Sequence, residues 1–157
     1  MAPALLLPLA LLLNGLVAGM LLWSVIGGVP WMRRLDGPDY VRLHRFWSPR
    51  FDPLGPICVA GAAAADLALL IGVGGQRPAT TWPFLLGAVA LGGTMVVSAT
   101  RNAPLKRSVL RLDPDRLPDD FDRRDIRASW ARWNAVRSGF ALAGFAANVT
   151  GVGVLLW

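Results

Sequence analysis

Four stretches of this chain carry almost no charge, and each is long enough to cross a bilayer. Residues 1–32, 78–100 and 138–157 contain no Asp, Glu, Lys or Arg, and residues 53–76 contain only Asp66. A helix needs about 20 apolar residues to span the hydrocarbon, and backbone inside lipid must satisfy its own hydrogen bonds. The chain is therefore expected to be one all-α integral membrane domain over 1–157, a bundle of four transmembrane helices. The expected helices cover approximately residues 4–29, 54–73, 82–100 and 130–157, with loops at 30–52 and 101–129. The first run reads as a span rather than a cleaved signal, because no basic residue precedes it and it is too long for a signal core.

Basic residues sort the loops. Of 16 Lys and Arg, five (Arg33, Arg34, Arg42, Arg45 and Arg50) lie between the first two helices and nine from Arg101 to Arg132. Arg137 follows just inside the last helix, and Arg77 alone falls on the other side. Basic loops stay in the cytoplasm. An inner-membrane, multi-pass protein with both termini outside is expected, and the loops 30–52 and 101–129 are expected inside. The net charge of +6 then expresses topology and attraction to anionic lipid headgroups. Nucleic acid is not an expected partner, because the basic residues flank spans and alternate with Asp. The single cysteine, Cys58, excludes an internal disulfide and a Cys-x-x-Cys redox pair, and it reads as a small core residue. No Walker loop, dinucleotide fingerprint or zinc-ligand cluster is present in the sequence.

Polar residues inside or beside the spans are the candidates for function. At the start of the last helix, Trp130, Trp133, Asn134 and Arg137 fall at i, i+3, i+4 and i+7 and share one face. The same face continues through Ala141, Gly144, Phe145 and Asn148, while Val136, Phe140 and Val149 lie opposite and suit lipid. Inward-facing polar groups on a membrane helix mark sites. Asn14, with Gly15 and Gly19 beside it, is read as an interhelical hydrogen bond at a close-packed face. Asp66 sits near mid-helix behind the small-residue run Ala60–Ala65. An unpaired carboxylate there costs at least about 2.5 kcal/mol, so it must be protonated or partnered. A structural bond to Asn14 or Asn148 and a proton relay are the two readings.

Gly27, Gly28 and Pro30 are expected to end the first helix. Asp39–Trp47 reads as a short amphipathic interfacial helix that starts at Asp39 after Pro38 and stops at Ser48-Pro49. Its inner face carries Tyr40, Leu43, His44 and Trp47. His44 is the only histidine. It is a packed side chain, a general base, or a single metal or haem ligand. Arg42 and Arg45 are expected to hold it neutral, because nearby positive charge disfavours the imidazolium. The third helix is expected to end at Arg101-Asn102-Ala103-Pro104-Leu105, where Pro104 disfavours helix at Ala103 and Asn102 caps carbonyls or points inward. Asp119-Asp120-Phe121 is expected to cap the helix that leads into Trp130.

The order of these signals, one His after helix 1, Asn102-Ala103-Pro104-Leu105 after helix 3 and Trp130-x-x-Trp133-Asn134-x-x-Arg137 opening helix 4, resembles the anthrone oxygenases and their small four-helix membrane relatives. The likeness covers nearly the whole chain. It departs at Lys106, where family patterns often show a second Asn. The resemblance implies a monooxygenase that oxidises a hydrophobic aromatic polyketide of the anthrone type with O2. In that reading His44 is the base, Arg137 holds the phenolate, Asn102 and Asn134 donate hydrogen bonds, and Trp47, Trp130 and Trp133 wall the pocket. No cofactor is required. Haem with His44 as axial ligand is the alternative chemistry. A non-catalytic membrane accessory and a transporter using Asp66 are alternatives of another class. The lipid bilayer is the expected environment, and both a monomer and a homo-oligomer are compatible with the sequence.

Overall fold

The computed structural model describes residues 2–121 and 126–156, and every regular element among them is helical. The first span is α1 (Ala2–Trp23), a π-helical turn (Ser24–Gly28) and α2 (Val29–Met32) in unbroken succession. The interfacial helix is α3 (Gly37–Phe51), and α4 (Leu54–Gly72) is the second span. A 3₁₀ turn (Pro78–Thr80) leads into α5 (Thr81–Val97), which continues through a second π-helical turn (Ser98–Asn102) into α6 (Ala103–Leu110). The last span belongs to α7 (Ile126–Leu156). Four helical runs are long and apolar enough to cross a membrane: Leu5–Met32, Leu54–Gly72, Pro78–Leu110 and Ile126–Leu156.

The spans form a closed ring in which α1 packs on α4 and α7, and α5 packs on α4 and α7. Three apolar layers stack along it. Ala10, Ala65, Leu69, Val73 and Phe84 fill the end where α1 begins and α7 finishes, beside the turn near Arg77, whose Nη1 donates to the Leu155 carbonyl at 2.8 Å. Val17, Leu21, Cys58, Val59, Ala62, Leu91 and Ala141 fill the middle, so Cys58 is a core residue. At the other end Met32, Tyr40, Val41, Val109 and Phe121 form a cap in which α3 lies against α6, with Trp47 and Trp130 at its edge. Both loop regions rich in Arg thus share one end of the bundle. Large side chains such as Leu5, Ile57, Ile71, Trp82 and Val89 are exposed around the ring, as an apolar solvent requires.

The two proline-bearing ends differ from expectation in the same way. Pro30 does not end the first span and Pro104 does not end the third; each follows a π turn and the helix runs on. A proline has no N–H to give and its ring crowds the carbonyl four residues back. The π turn relieves this by lengthening one loop of the ladder: the Val29 N–H donates to the Ser24 carbonyl, and the Ala103 N–H to the Ser98 carbonyl. Both turns begin at a Ser and carry Pro six residues later, Ser24 with Pro30 and Ser98 with Pro104. Asn102 therefore lies inside a helical run and not at its end.

The interfacial helix also begins earlier and ends later than its sequence suggests. Asp36 is the N-cap, its Oδ1 accepting from the Asp39 N–H at 2.8 Å, and Pro38 sits in the first turn where it costs no bond. Ser48 and Pro49 stay in the helix to Phe51, because the buried row Tyr40, Val41, His44 and Ser48 continues to pack while Pro49 is exposed. The Asp119-Asp120-Phe121 segment makes a turn, with the Phe121 N–H donating to the Pro118 carbonyl at 2.9 Å. Whether it caps α7 rests on residues 122–125, outside those described.

Candidate active site at the loop-bearing end of the bundle

The buried face of α7 carries Asn134, Ser138, Ala141, Gly144, Asn148 and Gly151, the face expected from Trp130 onward with its centre moved toward Ser138. Asn134 is fully buried and its amide is fixed at both ends. Its Nδ2 donates to Ser24 Oγ at 3.0 Å, in the first π turn. Its Oδ1 accepts from Arg137 Nε at 3.0 Å and Nη2 at 2.7 Å. A guanidinium held through two of its nitrogens keeps a defined direction and leaves Nη1 for a further acceptor. Thr94 on α5 and Ser138 on α7 close the layer below; their hydroxyls donate within their own helices, to the Ala90 carbonyl at 3.1 Å and the Asn134 carbonyl at 2.6 Å, and lie 3.4 and 3.3 Å from the Arg137 and Leu21 carbonyls of neighbouring helices.

His44 reaches this region from α3. It is 4 % exposed, between the rings of Tyr40 and Trp130 at centroid distances of 4.4 and 5.7 Å. Its Nδ1 lies 3.1 Å from the Tyr40 carbonyl, which only accepts, so the proton resides on Nδ1 and Nε2 carries the lone pair. Burial pushes the imidazole below the ordinary histidine value; the Tyr40 carbonyl and the Asp52 charge oppose this and Lys106 adds to it. Arg42 and Arg45 are not the cause expected of them. Arg42 pairs with Asp39 and Asp115 at 3.0 and 2.6 Å, and Arg45 donates to the Leu112 carbonyl at 2.7 Å. Burial likewise pushes the Tyr40 hydroxyl up to about 12, against the pull of Arg127, so it stays protonated.

Three further residues, Lys106, Asp52 and Ser24, tie these parts together. Lys106 Nζ pairs with Asp52 Oδ1 at 2.5 Å, joining α6 to the end of α3, and the Asp52 charge acts on both His44 and Arg137. Ser24 orients Asn134. The departure at Lys106 was the available signal for the first pair, and the spacing from Ser24 to Pro30 for the third. Asn102 is 3 % exposed in the second π turn, which packs on α7, and its amide makes no hydrogen bond among the described residues. A buried amide without a partner costs about 1–3 kcal/mol, which marks it as a ligand-facing candidate.

The tryptophans divide. Trp130 packs edge-on to His44. Trp47 packs instead against Trp23 and Trp31, with tilted rings at 5.5 and 6.0 Å, and edge-on against Phe51 at 6.1 Å. Trp133 lies under the guanidinium of Arg101 at 4.8 Å, with that of Arg132 at 5.8 Å. Asp66 belongs to a different place, fully buried among the spans with Asn14 and Asn148. Among the described residues no group of three His, Cys, Asp or Glu side chains is arranged to hold a metal ion.

The sequence matches the model of the family described as anthrone oxygenase over residues 46–147. No curated protein and no solved structure matches the chain.

Proposed function

The chain belongs to the anthrone oxygenase family, and on that premise we propose that it is a membrane oxygenase that converts a hydroxylated anthrone-type substrate to the quinone with O2 and no cofactor. The observation that carries this reading is the His44 imidazole, buried and neutral with Nδ1 engaged and Nε2 carrying the lone pair, packed on the helix that holds the Asn134–Arg137 pair. The methylene of an anthrone is acidic because its carbanion spreads over two rings and the carbonyl. Nε2 takes one methylene proton. Arg137 and the Asn102 amide stabilise the charge that collects on the substrate oxygen. The carbanion gives its electrons to O2 as the C–O bond forms, and His44 returns the proton to the peroxide. Loss of the second hydrogen as the O–O bond breaks leaves the ketone and one water. Anthrone and O2 thus account for quinone and water with no outside reductant.

Access is supported by a crevice of about 500 Å³ between the first and last spans, lined by Val25, Val29, Pro30, Arg33, Arg34 and Ala131. Val25 follows Ser24, and Ala131 lies one turn before Asn134, so the crevice runs along the two helices that the Ser24–Asn134 bond joins. A flat apolar substrate arriving from the leaflet would meet basic side chains at its mouth.

The test is oxygen uptake by purified protein with a dihydroxyanthrone, scored against quinone formed and against an absorption spectrum. One O2 per quinone, without a Soret band, is expected. Full turnover by His44→Ala, or a Soret band lost in that variant, would overturn the reading.

A further inference from the structure

Three polar side chains from three different spans meet in the centre of the bundle. Asn14 on α1, Asp66 on α4 and Asn148 on α7 are exposed by no more than 1 %. None of their side-chain oxygens or nitrogens has a hydrogen-bond partner among the described residues, one another included. Small residues make the room for them. A methyl on Gly87 of α5 would collide with Asp66 Oδ2 and sit 2.8 Å from Asn148 Oδ1, so these two oxygens face the same point. A methyl on Gly144 would lie 3.4 Å from Asn14 Nδ2 and 3.5 Å from the Gly87 carbonyl. Residues of all four spans therefore surround these polar groups, Gly87 and Gly144 making the room for them.

A carboxylate in such a place needs a compensating positive charge, and this chain supplies none. The stretches that line it contain no Lys, Arg or His. On α7 the nearest basic residue is Arg137, eleven positions from Asn148 and so roughly 16 Å along the axis. The compensating charge must come from outside the chain, as a proton or a metal cation. A dehydrated hard cation takes six or more oxygens. The pocket offers four side-chain oxygens, two from Asp66 and one from each Asn, and the amide nitrogens compete for the same space. A proton asks for one oxygen. It also turns Asp66 into a group with one O–H donor and one C=O acceptor, the complement of a primary amide.

We propose that Asn14, Asp66 and Asn148 form a proton-binding site at the centre of the bundle, in which Asp66 is a neutral carboxylic acid held by the two amides. The site is independent of the chemistry at His44, and its test does not require turnover. The nine other acidic residues, all Asp, lie at 36–52 and 113–125, outside the spans, so a protonated carboxyl at neutral pH has one source.

Purified full-length protein in detergent, at neutral pH, is treated with dicyclohexylcarbodiimide, which couples to protonated carboxyls and not to carboxylates. The expected result is one adduct, mapped by peptide mass to Asp66 and undiminished by a large excess of sodium. In parallel, infrared spectra of protein carrying isotope-labelled aspartate should show one carboxylic acid C=O band at neutral pH, shifted by the label and absent in Asp66→Asn. The labelled wild type gives this answer even where the variant does not fold, and it decides the matter where the reagent does not reach the pocket. Absence of the band overturns the proposal. So does protection of Asp66 by sodium, which would make the site a metal-cation site.

Discussion

Arg137 donates two hydrogen bonds, from Nε at 3.0 Å and Nη2 at 2.7 Å, to one oxygen of Asn134, the residue one turn before it on α7. Because Asn134 Nδ2 is spent on Ser24 Oγ, the amide cannot turn over without losing both partners. A first-span serine therefore sets the direction of a last-span guanidinium. Asn134→Leu removes this support and leaves Arg137 without its fixed acceptor. Turnover is expected to fall by about 10²-fold or more, with a stability loss of about 1–3 kcal/mol from the unpaired groups left behind. Ser24→Ala is the milder counterpart, since Asn134 keeps Arg137, and should cost several-fold in turnover. Melting in detergent and steady-state rates measured together check both; equal activity in Asn134→Leu and wild type would remove the pair from the mechanism.

His44→Ala is expected to leave the fold intact and to lower turnover by about 10²–10⁴-fold, the usual worth of a positioned base. The fold should survive because α3 lies outside the spans and is held by Tyr40, Val41 and its Asp36 cap. Tm and far-UV circular dichroism report the fold separately from the rate.

The lowered proton affinity of His44 fixes the sign of a pH effect. The unfolded chain, with a histidine at its ordinary value of 6.5, binds the proton more readily than the folded one. Stability from this group is complete above that value and declines as pH falls from it toward the folded value. The acid limb of kcat/KM should likewise lie below 6.5, and rates should be flat from there to neutrality. A limb at or above 6.5, or an unchanged limb in His44→Gln, contradicts a buried histidine base.

Gly87 and Asp66 should be strongly non-additive. Gly87→Ala drives a methyl into the carboxyl and is expected to lower Tm. In an Asp66→Ala background the collision with the carboxyl is gone and only Asn148 Oδ1, 2.8 Å from the methyl, has to shift, so the coupling should reach about 1–3 kcal/mol. Additive effects would mean that the carboxyl does not occupy the position described.

Topology is open to labelling. In a Cys58→Ala background, Gly75→Cys should react with an impermeant maleimide in intact cells and Asp115→Cys only after permeabilisation. Gly75 has open space around it and Asp115 is exposed, so neither substitution disturbs the core. Outside labelling of Asp115→Cys would invert the orientation inferred from the basic loops.

The spans, their number and their grouping of basic loops were legible in the sequence, because an apolar solvent forces long uncharged helices and leaves a simple compositional trace. The Asn134–Arg137 face was legible for the related reason that helical periodicity is local. So was the burial of His44, through the amphipathic row Tyr40, Leu43, His44 and Trp47. Other features were decided only when the helices met. Proline is read locally as a stop, yet Pro30 and Pro104 sit inside continuing helices, because packing in the bundle outweighs one lost ladder bond and a π turn absorbs it. That same turn moves Asn102 from a helix end to a buried position. Lys106 with Asp52 and Ser24 with Asn134 are pairs separated by many residues, and local pattern marks at most one member of each; for Asp66 the burial limited the partners to Asn14 or Asn148, and the position of Gly87 brought Asn148 to it. Sequence composition determined which residues lie among the spans and which at the loop-bearing end; the close approach of four helices determined which polar groups meet there, since a buried polar atom can only be satisfied by whatever the neighbouring helix brings to it.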